Sequence, residues 1–74
     1  MKFKYYPDTD SLYIDLADRP GIDVIEAAPG VNLDFDAEGR IVGIDIDHAS
    51  AVVDLSRVET VAFPLVAASV AAVA

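Results

Sequence analysis

Apolar and polar residues alternate with a period of two through residues 12–17, 31–36 and 41–47, and no other feature limits the fold of this chain as tightly. Successive side chains of a β-strand point to opposite faces, so each stretch predicts a strand with one buried and one solvent-facing side. Residues that favour turns separate the predicted strands, at positions 7–10, 19–21, 29–30 and 38–39.

Parity predicts the register of two hairpins, because a slip of one residue would send every apolar side chain to the opposite face. The first hairpin, with its turn at residues 7–10, is predicted to pair Lys2 with Asp15, Phe3 with Ile14, Lys4 with Tyr13 and Tyr5 with Leu12. The second, centred on Glu38 and Gly39, is predicted to pair Val31 with Ile46, Asn32 with Asp45, Leu33 with Ile44, Asp34 with Gly43 and Phe35 with Val42.

One more strand is predicted over residues 22–28, where apolar side chains point both ways, as suits a central strand or a dimer contact. Beyond the third alternating stretch, Val52, Leu55, and Val58 or Glu59 follow helical spacing. Ser50 is a candidate cap for a helix that starts at the next residue, whereas residues 56–59 match a capping box for a later one. We favour the earlier helix.

The predicted fold class is therefore α+β and predominantly β: an antiparallel β-meander of about five strands with one short C-terminal helix. Residues 1–65 are expected to form a single compact β-rich domain. Residues 66–74 form an apolar tail rich in Ala and Val, expected to be either docked on a neighbour or mobile. Because 74 residues leave a small core, self-association into a homodimer or higher oligomer is expected, through a strand edge or this tail.

The charge limits the classes of partner. With 13 acidic and 5 basic residues the net charge is −8, which opposes binding to nucleic acids and anionic membranes. The sequence has no cysteine and one histidine, so neither a disulfide framework nor a zinc site built on these residues is expected. The N-terminus lacks the apolar core of a signal peptide, and the tail is too short to span a bilayer, so a cytoplasmic protein is expected.

Five carboxylates are predicted to lie on the outer face of the sheet and to form a partner-binding surface: Asp15, Asp34, Asp36, Asp45 and Asp47. Like charges on neighbouring strands cost stability, so this face is either a solubility surface or a docking surface for a basic protein. Alternation predicts that these acids stay hydrated, which disfavours a general acid with a raised pKa.

The acidic hairpin also resembles a calcium loop, but strands in place of helices flank it, and Asp45 stands where such a loop carries a bidentate Glu. A solvated hairpin is favoured. A weaker divalent-metal site built from Asp34, Asp36 and Asp45 remains an alternative. His48 is read as a junction residue, since no pattern indicates a catalytic triad.

Three stretches together, YYPDTDSLYIDL, PGVNLDFDAEGRIVGIDIDHAS and LSRVETVAFPL, resemble the small prokaryotic proteins of domain-of-unknown-function family 2283. The resemblance covers residue 2 to about residue 65. It implies a compact single domain without an assigned activity or cofactor, and it supplies no catalytic residues.

The sequence thus predicts a small acidic protein, more an interaction or regulatory module than an enzyme, which neutralises a basic partner. A divalent-metal-binding protein and a self-assembling structural protein are the alternatives. No cofactor and no catalytic residue is predicted.

Overall fold

A computed structural model describes residues 1–65 of the chain. It contains five β-strands and one short helix: β1 Lys2–Tyr6, β2 Ser11–Asp15, β3 Asp23–Ala28, β4 Val31–Phe35, β5 Ile41–Ile46 and α1 Ala49–Val52. The predicted fold class, mostly β with five antiparallel strands and one short helix, is confirmed. The predicted tail lies outside the described residues.

All five strands pair antiparallel in one sheet of order β1-β2-β5-β4-β3. The order departs from a simple meander at one place, because β5 rather than β3 lies beside β2. Residues 22–28 were predicted to suit a central strand or a dimer contact. The central position was wrong, because β3 is an edge strand. Its Val24 and Ile25 are 66% and 56% exposed, since a partner strand covers only one side of β3.

The β1–β2 register is confirmed in all four predicted pairs, including Phe3 with Ile14 and Tyr5 with Leu12. The turn after Tyr6 is closed by the Thr9 amide, which donates to the Tyr6 carbonyl at 3.3 Å. A turn of this length keeps apolar residues on one face, as parity requires.

The β4–β5 register is confirmed from Val31 to Asp34, but the predicted pairing of Phe35 with Val42 was wrong, and Phe35 pairs with Ile41. The turn has three residues, because the Asp36 amide donates to the Arg40 carbonyl at 2.8 Å. Gly39 takes the left-handed position, with φ +77°, that ends loops of this type. A bulge then adds one residue to β5 and restores the predicted register further along.

The helix α1 lies at the earlier of the two predicted positions but is shorter than its pattern suggested, and the Leu55 and Val58 spacing is not helical. Ser50 does not cap it. Asp10, in the turn after β1, takes that role: its carbonyl accepts the Ala49 amide at 2.8 Å, and its carboxylate accepts the Ser50 amide at 3.2 Å and hydroxyl at 2.6 Å. A residue forty positions away thus ties α1 to the first hairpin.

The core lies between the sheet and α1. Leu12, Ile46 and Ala49 are buried, and Ile14, Ile44 and Val53 pack against them. Ala49 is fully buried at the start of α1, where a larger side chain would push the helix off the sheet. Within residues 1–65, no helix has the length and apolar character needed to cross a lipid bilayer.

Candidate functional site: an acidic sheet face

The face of the sheet opposite α1 is organised around Tyr13. Its side chain leaves β2, crosses β5 over Gly43 and donates a hydrogen bond from its hydroxyl to Asp34 Oδ2 on β4 at 2.8 Å. The crossing depends on glycine, because a Cβ at position 43 would lie 2.5 Å from Cζ of the ring. The pKa of Tyr13 is raised to about 12, first by this hydrogen bond to a carboxylate and then by burial.

Three carboxylates next to this bridge form what we call the acidic cluster: Asp34, Asp45 and Asp47. The pKa of Asp45 is raised, first by partial burial and then by the negative charges of Asp47 and Asp34. Asp34 and Asp45 are half-buried and Asp47 is exposed. The ion pairs among residues 1–65 involve other acids, so no cation there compensates the cluster.

Asp15 lies on the same face but carries its own cation. Lys4, on the neighbouring β1, places Nζ 3.9 Å from Asp15 Oδ2 and 5.8 Å from the centre of the Tyr13 ring. Both Lys4 and Asp15 are partly exposed, so the pair is weak. Asp15 is therefore the one acid of this face whose negative charge has a cationic partner among residues 1–65, whereas Asp34, Asp45 and Asp47 have none.

Asp36 was predicted to project to the outer face, and this was wrong. It is 4% exposed, with Oδ2 2.8 Å from Nε of Arg19 and 3.1 Å from Nε of Arg40. Its Oδ1 accepts the backbone amides of Glu38 at 3.0 Å and Arg40 at 2.9 Å. The Arg40 amide, with help from Arg19, holds the pKa of Asp36 below its usual range. The strand has ended at Phe35, so alternation no longer sets the direction of this side chain.

These contacts separate Asp36 from the other two residues of the suggested metal site. Asp36 is engaged with two arginines, whereas Asp34, which accepts the Tyr13 hydroxyl, and Asp45 both belong to the acidic cluster. In the part of the chain that the structure describes, no group of three His, Cys, Asp or Glu residues lies close enough together to hold a metal ion. The arrangement therefore gives the metal hypothesis no support.

The role of Tyr13 was missed at the level of sequence, where only its pairing with Lys4 was predicted. A signal was present: a glycine stands on the polar side of the β5 alternation, two positions before Asp45, and a glycine inside a strand often marks the close approach of another group. Chemically, a protonated tyrosine and unpaired carboxylates offer hydrogen-bond and charge partners to an ammonium or guanidinium group.

A family model described as "Protein of unknown function (DUF2283)" matches residues 2–50, so the chain belongs to this family. The match includes all five strands and the start of α1, and with them Tyr13, Gly43 and the acidic cluster. No curated protein and no solved structure matches the chain.

Proposed function

We propose that this member of the DUF2283 family is a non-enzymatic interaction module of the cytoplasm, whose acidic cluster receives a basic segment of a partner protein. The observation that carries the proposal is the uncompensated charge on one face of the sheet. The pKa of Asp45 is raised in part by Asp47 and Asp34, and no cation among residues 1–65 pairs with any of the three.

Uncompensated like charges on adjacent strands cost about 0.2–1 kcal/mol per pair, and an arriving cation would recover that cost. Burial of Asp45 adds to the gain, because charges attract more strongly where water is partly excluded. The Tyr13 hydroxyl holds Asp34 in place before a partner arrives, which reduces the entropy lost on binding.

A basic protein suits this surface better than a small cation. The three carboxylates lie on β4, on β5 and in the residue after β5, and neighbouring strands are about 4.8 Å apart. Carboxylates spaced in this way can each contact a different basic side chain of a partner, whereas a metal ion needs its ligand oxygens within about 2.6 Å of one point. Electrostatic attraction of this kind speeds encounter and fixes orientation, so neutralising or regulating a basic partner is the proposed role.

The test is a low-salt pull-down from source cells with three forms of the tagged full-length chain as bait. They are the wild type, a triple variant of the cluster (Asp34→Asn, Asp45→Asn, Asp47→Asn) and a control triple variant that loses the same three charges elsewhere (Asp8→Asn, Asp23→Asn, Glu59→Gln). We expect a near-stoichiometric basic protein with the wild type and the control, lost with the cluster variant and at high salt.

Circular dichroism must show that all three baits are folded. Removal of clustered charge should not unfold the sheet. The proposal is supported if the cluster variant is folded and loses the partner while the control variant keeps it. Equal capture by the two triple variants, or no basic protein bound at low salt, would overturn it.

A further inference from the structure

The opposite face of the sheet is apolar from one edge to the other. One cross-strand row runs Phe3, Ile14, Ile44, Leu33 and Ile25, and the next runs Tyr5, Leu12, Ile46, Val31 and Ala28. Each row takes one residue from each of the five strands. In a single-sheet protein such a face needs a cover along its whole width.

The cover within residues 1–65 is incomplete. Helix α1 has four residues, and it shields only the middle, where Leu12 and Ile46 are 9% and 8% exposed. Toward the two edges the exposure rises to 54% at Phe3 and 56% at Ile25. Beside α1 lies a groove of about 580 Å³, walled by sheet residues that include Phe3 and Tyr5 and by Val53, Leu55 and Val58 of the following segment.

The exposed part of this face has the extent of an interface. An aromatic residue carries about 200 Å² of surface and an aliphatic one somewhat less. At their exposures of 54%, 40%, 56%, 40% and 75%, Phe3, Tyr5, Ile25, Leu55 and Val58 together leave on the order of 500 Å² uncovered. That is more than half of the roughly 800 Å² that each partner contributes to a standard stable complex.

We propose that a second copy of this chain covers the apolar face, to give a symmetric dimer in which the two sheets pack face to face. The charge distribution selects this face for a contact between two copies. The acidic cluster lies on the far side of each sheet, so this arrangement turns both clusters outward, on opposite sides of two sheets packed about 10 Å apart. Any arrangement that joined the acidic faces would bring two chains of net charge −8 together through their carboxylates.

The groove itself is compatible with this contact. Among its lining residues only Asp54 is charged, and its carboxylate is exposed and accepts the amide and hydroxyl of Ser56. In a dimer with a two-fold axis, the apolar patch of one copy contacts the same patch of the other, so no second complementary surface is needed. This dimer does not depend on whether the acidic cluster binds a partner.

The test is the solution mass of the full-length chain by analytical ultracentrifugation over a range of concentrations. We expect twice the 7.9 kDa chain mass for the wild type. Phe3→Lys should raise the dissociation constant of the dimer at least tenfold. The matched control is Tyr6→Lys on the same strand, since Tyr6 is 50% exposed but alternates onto the other face, and it should leave the constant unchanged.

A wild type that stays monomeric at millimolar concentration, or equal effects of the two lysine variants, would overturn the proposal. If Phe3→Lys fails to fold, spin labels decide, because the chain has no cysteine of its own. Nitroxides on Val58→Cys should show strong dipolar coupling within the dimer and those on Tyr6→Cys a weaker one at longer distance. The reverse order would place the contact on the acidic side.

Discussion

Replacing Gly43 by alanine should destabilise the protein, although strand propensity alone predicts the opposite sign. Glycine inside a strand costs about 0.5–1 kcal/mol relative to alanine, so the change would ordinarily be favourable. Gly43, however, lies under the Tyr13 ring, and an added Cβ would come 2.5 Å from Cζ and 3.1 Å from Cε1. Tyr13 must therefore move off the sheet.

The cost follows from what Tyr13 then loses. Its 2.8 Å hydrogen bond to Asp34 has a charged acceptor, and such bonds contribute about 1.5–3 kcal/mol, at the lower end here because both residues are half-buried and water can replace part of the contact. Displacing a packed side chain adds about 1–3 kcal/mol. After the gain in strand propensity, Gly43→Ala should lower the free energy of unfolding by about 1.5–4 kcal/mol.

Urea unfolding followed by circular dichroism, at one fixed protein concentration, measures this difference. The decisive comparison is the same change in a Tyr13→Ala background, where no ring covers position 43 and alanine should stabilise by about 0.5–1 kcal/mol. Absorbance titration gives an independent readout: in Gly43→Ala the pKa of Tyr13 should fall from about 12 towards the ordinary value of about 10. Stabilisation by alanine in both backgrounds would refute the steric argument.

Two carboxylates should have opposite effects on the pH dependence of stability. The pKa of folded Asp36 is lowered, so its ionised form stabilises the fold above the unfolded pKa of about 4 and this contribution is lost as the pH falls through the folded-state pKa. Asp36→Asn should therefore lower the urea midpoint at pH 7 and lower it less in acid; a difference independent of pH would contradict the assignment. The pKa of folded Asp45 is raised, so its ionisation destabilises the fold once the pH rises above the unfolded pKa. Asp45→Asn should raise the midpoint at pH 7 and have little effect at pH 3; a lower midpoint at neutral pH would show that Asp45 has a stabilising partner.

The alternation of apolar and polar residues predicted the cross-strand pairs well for residues in the interior of a strand. The β1–β2 pairs and the β4–β5 pairs from Val31 to Asp34 follow from parity, because one face must be apolar. The strand order does not follow from parity. Alternation specifies which residues share a face, but the placement of β5 beside β2 depends on contacts between strands far apart in the chain.

Asp36 and α1 show where local patterns stop being informative. Asp36 begins a turn, where a carboxylate commonly accepts amides two or more residues ahead, and its sequence context permits that reading. Its other partner, the side chain of Arg19, lies seventeen residues earlier in the connection between β2 and β3. No pattern in the sequence predicts this ion pair. The cap of α1 was likewise predicted to be local, at Ser50, whereas Asp10 supplies it from forty residues away.

The lack of a cationic partner for the acidic cluster among residues 1–65 is itself an argument for a binding role. Two other acids of the predicted outer face have cationic partners: Asp36 has two arginines and Asp15 has Lys4. Asp34, by contrast, is held by the neutral hydroxyl of Tyr13, which fixes its position without cancelling its charge. A surface kept only for solubility needs charge but not fixed positions, whereas recognition of a basic group gains affinity from both. The Tyr13 bridge, with the glycine that permits it, therefore favours recognition over solubility as the reason for this face.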